Sequence, residues 1–449
     1  MILLLLLALI SKVIVFYIIL IYNEGQTQKG EITVNIIEDL TWRNAINQQT
    51  DAEGLTKLVN EKDIHLYCGV DPTGNSMHIG HLIPFMILKR FQLTGHHPVV
   101  IIGGATGSIG DPSGRTSERV LQTKEVVEEN ARQLTKQMKH IFGDDFTILN
   151  NYDWISELSF LDFLRDIGKH FNINTMLNKD VVASRLEHGI SFTEFSYQIL
   201  QSMDFHHLFK KHDVQLQIGG ADQWGNITAG LDYIRRMEGP EAEAYGLTIP
   251  LMLKSDGTKF GKSAGNAVWL DPEQTSPYEF YQFWLNQQDG DIVKFLKYFT
   301  FLSHEEIDTL AQEIEERPHL RIAQKRLAEE VTKFVHSPEA LEDALAITEA
   351  FFTGNIHELS AKQIKEGFKN LPQYSTNRDT HNLAIWLVDT GIVDSRRQAR
   401  EFISNGAITI NGDKITDLDF EISPDFAIDN QYFVVRRGKK KYYLVTIAD

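Results

Sequence analysis

Residues Tyr67–Leu82 read YCGVDPTGNSMHIGHL. An apolar strand breaks into a turn rich in Gly, Pro and Asn and then enters a helix. A strand, a turn that turns backbone N–H groups outward and a helix N-terminus together make an anion site, because unpaired amides and the helix dipole both favour negative charge there. His78 and His81 put two imidazoles three residues apart on one helical face, able to donate to phosphate oxygens. Gly80 between them removes a side chain where a flat ring can pack on the backbone. A polar helix start with two partly exposed histidines fits these residues equally well, so the turn alone does not decide the matter.

The sequence around this turn repeats its logic. His65–Val70 reads as a first strand, Ile79–Leu93 as a helix and Pro98–Ile102 (PVVII) as a continuous apolar strand of the kind buried on both faces of a parallel sheet. The second strand runs into GGATGSIGDPSGR, so both glycine-rich turns fall beyond the carboxyl ends of their strands, where ligands bind in such sheets. Phe146–Leu149 and Val214–Ile218 are further strands, the latter followed by GGADQWGNI. In Phe192–Met203, FTEFSYQILQSM, helical spacing places Tyr197, Gln201 and Asp204 on one face. Taken alone, that face reads better as that of a helix whose Tyr packs and whose Asp caps or solvates. The fold class expected is α/β: a Rossmann-like nucleotide-binding domain with a parallel sheet over 35–253.

Downstream, Lys254–Ser263 reads KSDGTKFGKS, three lysines among small, turn-forming residues. Over 254–352 the pattern is all helical, with helices expected at Tyr278–Thr300, Glu305–Glu316, Leu320–Ser337 and Pro338–Phe352. Residues 353–382 are polar, broken by Gly367 and Pro372, and read as a linker. Residues 383–449 form a small α+β module of two short helices and a strand pair turning at Asn411 and Gly412, a strong hairpin signal.

The formal charge is −17, from 44 Lys and Arg against 61 Asp and Glu. This excludes non-specific polyanion binding by the whole surface. Residues 394–449, however, carry nine Lys or Arg and nine Asp or Glu. Within that neutral tail Arg396, Arg397 and Arg400 share a helix, and Arg436, Arg437, Lys439, Lys440 and Lys441 flank Gly438; such clusters suit phosphates. The single cysteine, Cys68, excludes an intrachain disulfide, no zinc-ligand spacing is present, and the composition fits a cytoplasmic protein without a structural metal.

With both basic and glycine-rich stretches in view, the chain resembles the class I aminoacyl-tRNA synthetases. HIGH stands at His78–His81, and KFGKS at Lys259–Ser263 matches the KMSKS loop. From about Asn35 to the C-terminus the resemblance is strongest to the bacterial tyrosyl-tRNA synthetases, and residues 383–449 resemble the S4 RNA-binding fold. The resemblance implies activation of L-tyrosine with ATP, then transfer of tyrosyl to tRNA(Tyr), by a homodimer with Mg²⁺ accompanying ATP. It assigns His78, His81, Lys259, Lys262 and Thr73 to the triphosphate, and Gly80, Cys68, Asp222 and Ser263 to ATP. It gives the tyrosine pocket to Tyr67, Asp71, Asp111, Tyr197, Gln201, Asp204, Gln217 and Gln223. Arg396, Arg397, Arg400, Lys439, Lys440 and Lys441 become the tRNA contacts. KFGKS departs from KMSKS in lacking Met and the first Ser, a form shared by bacterial tyrosyl enzymes, and Arg115 stands where Lys is common.

Met1–Tyr22 is almost wholly apolar and long enough to span a bilayer. It is a membrane anchor, an uncleaved targeting segment, or the product of a start assigned upstream of the true one; the last is preferred for 1–34, because proteins of the resembling family begin near Asn35. Two other readings of the whole chain stay open at this point: a small-molecule adenylyltransferase using the same HxGH turn, and an RNA-binding paralogue without catalysis. Such adenylyltransferases are usually shorter and lack an S4-like tail, and both histidines and both loop lysines stand against the paralogue.

Overall fold

The computed structural model describes residues 35–113, 122–179, 182–183, 186, 189–255, 257, 260–263, 266–438 and 441–448, with the backbone alone at 262–263 and 266. The apolar run Met1–Tyr22, Arg115, Lys259, Lys439 and Lys440 lie outside them. Among the described residues no helix is long and apolar enough to cross a membrane.

Six strands form the central sheet: β1 (Gln48–Gln49), β2 (His65–Val70), β3 (His97–Ile102), β4 (Thr147–Asn150), β5 (Val214–Gly220) and β6 (Tyr245–Ile249), in the order β1-β6-β5-β2-β3-β4. Every pairing is parallel except that of the two-residue edge β1 with β6. In β3 the five residues after His97 are all buried, as a strand covered by helices on both faces requires. The chain steps outward from β2 to β3 and β4, then returns to lay β5 on the other side of β2. That reversal opens a crevice between the carboxyl ends of β2 and β5.

The expected helix Tyr278–Thr300 is two helices, Pro277–Leu285 and Asp289–Phe299. The first ends where the Asn286 side-chain amide donates to the Gln282 carbonyl at 2.7 Å. The break puts Asp289 and Asp291 in the first turn of the second helix, where its dipole favours carboxylates. Asp291 then accepts from Ser255 N–H (2.9 Å) and Ser255 Oγ (3.1 Å), anchoring the chain at the start of the lysine loop. Helices His304–Glu316, Ile322–Val335 and Pro338–Thr353 complete this region.

One apolar core runs unbroken from the sheet into these helices, joining Leu66 and Ile79 to Trp284, Phe299 and Val331. A buried ionic knot reinforces the seam. Asp39 accepts from Arg43 (2.9 Å) and His304 (2.8 Å), while Arg43 and Arg90 donate to carbonyls of Leu302 and Lys297. Burial pushes the Asp39 carboxyl up, but Arg43, His304 and Arg90 together hold it below its usual value.

The polar stretch 353–382 is not a free linker. It contains the helix Ala361–Gly367 and the strand Gln373–Thr376, which pairs in parallel with Lys441–Ile447 as the edge of the C-terminal sheet. Its polar composition is that of an edge strand and a short surface helix. The helices Leu383–Asp389 and Arg396–Ser404 and the hairpin Ile408–Ile410/Asp413–Ile415 follow. Asn411 and Gly412 both have positive φ, 52° and 99°, the type I′ turn their sequence predicts. A further apolar cluster joins Ile347 and Ala350 of the last long helix to Ile428, Val434 and Leu444 of the C-terminal sheet.

Candidate active site

A cavity of about 330 Å³ fills the β2/β5 crevice. Thirteen of the residues singled out from sequence line it: Tyr67, Cys68, Asp71, Thr73, Gly80, His81, Asp111, Tyr197, Gln201, Asp204, Gln217, Asp222 and Gln223. They arrive from separate elements. Tyr67 and Cys68 point to opposite faces of β2, Gln217 comes from β5, and Asp222 and Gln223 lie on the short 3₁₀ turn Ala221–Gln223 that opens the helix Trp224–Glu238. Tyr197, Gln201 and Asp204 share the inward face of the helix Phe192–His212, as their spacing requires.

At the mouth, His78 caps the helix Ile79–Leu93. Its Nδ1 accepts from Gly80 N–H at 3.0 Å, and His81 Nδ1 accepts from His78 N–H at 3.4 Å. The two rings stack with centroids 3.9 Å apart. With Nδ1 of each ring accepting, Nε2 is the ring nitrogen left to carry a proton. His78 itself does not line the cavity; it backs His81. Gly80 leaves no room for a Cβ, which would press on the His78 ring at 2.8 Å.

The lysine loop packs directly on this turn. Ile79 N–H donates to Val268 O (3.0 Å) and Leu270 N–H to Met77 O (2.8 Å), and His78 bridges to Trp269. Gly261, at φ 100°, approaches the Gly80 backbone. Phe260 is plugged among Phe283, Trp284, Phe295 and Phe299, with ring centroids 4.8–6.1 Å away. The backbone of Lys262 and Ser263 forms a short hairpin with Asn266–Ala267, so this segment opens with a two-stranded element before its helices begin.

Inside, polar groups are buried and mostly bonded to one another. Asp71 accepts from Thr106 Oγ1 (2.7 Å) and the Tyr197 hydroxyl (2.9 Å). Gly103 is required beside them, since a Cβ there would run into Asp71 and Thr106. Gln223 donates to Asp111 (2.7 Å) and accepts from Gln201 (3.3 Å). Asp204 accepts from Asn151 Nδ2 and Trp154 Nε1, both at 2.9 Å, and burial raises its carboxyl to about 7. Burial first, then Asp71 and Asp111, pushes the Tyr197 phenol well up. Cys68 is a neutral, packed thiol, pushed up to about 12 by burial, with Sγ against the Gly69 carbonyl.

One group stands out. The Tyr67 hydroxyl is fully buried, 2% exposed as a residue, and has no hydrogen-bond partner among the described residues. Burial, then the charge of Asp204 nearby, drives its pKa well above the usual phenol value. The Gln201 and Gln217 side-chain oxygens are likewise buried without partners. Leaving such groups unmade costs about 1–3 kcal/mol each.

Known proteins resemble this chain in sequence and fold. Residues 59–353 match the family model of class I tRNA synthetases (W and Y), and residues 363–445 match the tyrosine–tRNA ligase SYY-like C-terminal domain. Tyrosine–tRNA ligase 1 of Enterococcus faecalis (strain V583) is 64% identical over 418 residues, covering 93% of this chain and all of that protein. The chain belongs to the tyrosine–tRNA ligases. The enzyme of Limosilactobacillus reuteri (strain DSM 20016) is also 64% identical, over 92% of this chain and 100% of its own. Among solved structures, the C-terminally truncated mitochondrial tyrosyl-tRNA synthetase of Coccidioides posadasii superposes with a TM-score of 0.62 at 31% identity, covering 75% of this chain and 99% of that one.

In this tyrosine–tRNA ligase Asn151, Trp154 and Thr106 orient Asp204 and Asp71, a role that none of the motifs visible in the sequence assigns to them. Asn151 sits just past the carboxyl end of β4, and that position was its available signal. In the C-terminal module Arg396, Arg397, Arg400 and Lys441 are exposed. Arg437 differs from the free cation expected: it donates to the Ile392 carbonyl (2.6 Å) and lies over the rings of Phe402 and Tyr443. Arg436 lies 6.0 Å over the Tyr442 ring.

Proposed function

We infer that this ligase uses its crevice to hold L-tyrosine and ATP so that the tyrosine carboxylate attacks the α-phosphate, releasing pyrophosphate and leaving tyrosyl-adenylate. The tyrosyl group then passes to the 3′ end of tRNA(Tyr). The observation that carries the residue assignments is the buried, partnerless Tyr67 hydroxyl beside Asp204: a phenol hydroxyl entering there gives Tyr67 a partner and donates to the carboxylate. Tyr197 and Gln201, with Asp71 and Asp111, then face the substrate ammonium, and Gln217 and Gln223 its carboxylate. Asp222 and Cys68 lie toward the ribose.

No enzyme nucleophile is needed. The substrate's carboxylate forms the new O–P bond as the bond to pyrophosphate breaks, so the protein contributes alignment and charge stabilisation. The Nε2–H groups of His78 and His81 suit the phosphates, with Gly80 opening the approach for adenine. Thr73 and the loop residues Lys259, Lys262 and Ser263 complete that role by family resemblance. Mg²⁺ enters as part of the ATP substrate, its ligands being phosphate oxygens and water. The test is exchange of labelled pyrophosphate into ATP with tyrosine, phenylalanine or tryptophan as the only amino acid. Tyrosine alone should support it; exchange with none, from folded protein that binds tRNA, would overturn the reading.

The Asp204 carboxyl sets a pH dependence. Accepting a phenol hydroxyl favours its ionised form, so below about 7 each binding event releases a proton. Tyrosine affinity should therefore weaken as pH falls from 7, approaching about tenfold per unit, and Asp204→Asn should flatten that slope. Calorimetry in buffers of different ionisation enthalpy reads the proton directly.

Two assemblies belong to this reading. The segment from Phe160 to Phe192 exposes Phe160, Leu161, Ile173 and Phe192, each more than 60% accessible, which suits an isologous contact with a second copy. Phe192→Asp should shift sedimentation toward monomer; an unchanged dimer rules that contact out. Arg396, Arg397 and Arg400, exposed on one helix, suit tRNA phosphates, and Lys439, Lys440 and Lys441 form a second cationic cluster further along the sequence. Replacing the three arginines by alanine should lower the salt slope of tRNA binding by about three and weaken it about tenfold. Pyrophosphate exchange, which needs no tRNA, should not change.

A further inference from the structure

The HIGH turn has little structure of its own. From Asp71 to Met77 the chain is neither helix nor strand, so its shape depends on what grips it. The helix Lys124–Phe142 does much of this with two side-chain amides seven residues apart, hence on one face. Asn130 Nδ2 donates to the Pro72 carbonyl at 3.0 Å, at the start of the turn. Two helical turns further on, Gln137 Oε1 accepts from Met77 N–H (3.0 Å) and its Nε2 donates to Ser76 Oγ (2.9 Å), at the end of the turn next to His78. Gln122, just before the helix, adds a bond to the Thr73 carbonyl at 3.1 Å.

Ser76 passes this grip to the lysine loop. Its hydroxyl donates to Met77 O (2.8 Å) and accepts from Gln137 and from Asp271 N–H (3.2 Å), which uses one donor and two acceptor positions, the full capacity of a hydroxyl. Asp271 follows Leu270, which itself bonds Met77 O. One buried oxygen thus joins the helix, the histidine turn and the segment leaving the lysine loop.

We propose that Asn130 and Gln137 are positioning residues for adenylate formation, fixing the two ends of the turn so that His78 and His81 and the lysine loop meet the triphosphate in register. Neither amide lines the catalytic cavity; both act through the backbone they hold. This rests on the tyrosine-activation reading above. A cavity of about 430 Å³ on the other side of Gln137 gives a leucine room at that position, so Gln137→Leu removes both bonds without overpacking. Gln137→Glu keeps the acceptor for Met77 N–H, and the Ser76 hydroxyl can rotate to donate to it.

The experiment is tyrosine-dependent pyrophosphate exchange per titrated active site, with tyrosine affinity measured separately by equilibrium dialysis. For Gln137→Leu, kcat should fall 10- to 100-fold with the tyrosine Kd within about twofold of wild type, and Gln137→Glu should recover most of the loss. Asn130→Asp, which keeps the shape and removes the donor to Pro72, is the second variant should Gln137→Leu not fold, with the same kcat-specific loss expected. Unchanged exchange per site in both variants, or equal losses in rate and tyrosine affinity, would overturn the proposal. Wild-type protein inactive with tyrosine would instead overturn the activity on which it rests.

Discussion

Replacing His81 by alanine should slow tyrosyl-adenylate formation by about 10²- to 10³-fold, the usual cost of losing one preorganised donor at a developing charge. Tyrosine affinity should hold within about twofold, because on the proposed assignment the ring meets the phosphates and not the phenol. The effect has a structural component that must be separated. His81 Nδ1 also accepts the His78 N–H in a reciprocal cap, and such caps are worth about 1 kcal/mol. His81→Asn separates the two, since its amide offers an oxygen to the cap and an N–H outward; it should keep the rate within about tenfold of wild type. Pre-steady-state quenching of the adenylate reads the chemical step. If alanine raises the tyrosine Kd as much as it lowers the rate, His81 is part of the amino-acid pocket and the assignment is wrong.

The second large effect concerns substrate choice. Tyr67→Phe should reduce the preference for tyrosine over phenylalanine by about 10- to 100-fold, because the wrong substrate no longer leaves the Tyr67 hydroxyl unpaired. Tyrosyl-tRNA synthetases are themselves the reference example of this cost, rejecting phenylalanine by about 10⁵, a magnitude that belongs to that example and not to this geometry. The same substitution should raise the stability of the free protein by about 1 kcal/mol, since it deletes a buried hydroxyl with no partner. Opposite signs in the two readouts distinguish a hydroxyl kept for ligand from one kept for folding. Comparing kcat/KM for both amino acids, alongside urea unfolding without ligand, measures both. A destabilised variant with unchanged selectivity would contradict the role.

Much of this site was legible from sequence, and unevenly so. Local signals worked where geometry is local: the spacing of Tyr197, Gln201 and Asp204 fixed a helix face, and Asn411–Gly412 fixed a turn. The β2/β5 crevice was legible because a parallel sheet confines ligands to strand ends. The sequence did not show Asn151 or Trp154, whose purpose is set by Asp204, about fifty residues away in the chain. The same holds for the break at Asn286–Gln288, whose consequence is an Asp291 aimed at Ser255. The strand at Gln373–Thr376 was hidden by its polar composition, because an edge strand has one ladder and a wet face.

The apolar cluster that joins Ile347 and Ala350 to Val434 and Leu444 makes the C-terminal module part of a ruler and not a bead on a string. The tip of its hairpin, at Gly412, sits so close to Gly354 that any Cβ would collide with that residue's carbonyl. An RNA gripped by exposed arginines on such a module meets a surface whose distance from the crevice is already set. The entropy of orienting the two sites is spent when the chain folds, so each contact to the RNA goes into affinity and register. On the proposed tRNA contacts, a tRNA of the wrong length or bend loses one grip by keeping the other, and shape then joins sequence as a criterion for being charged.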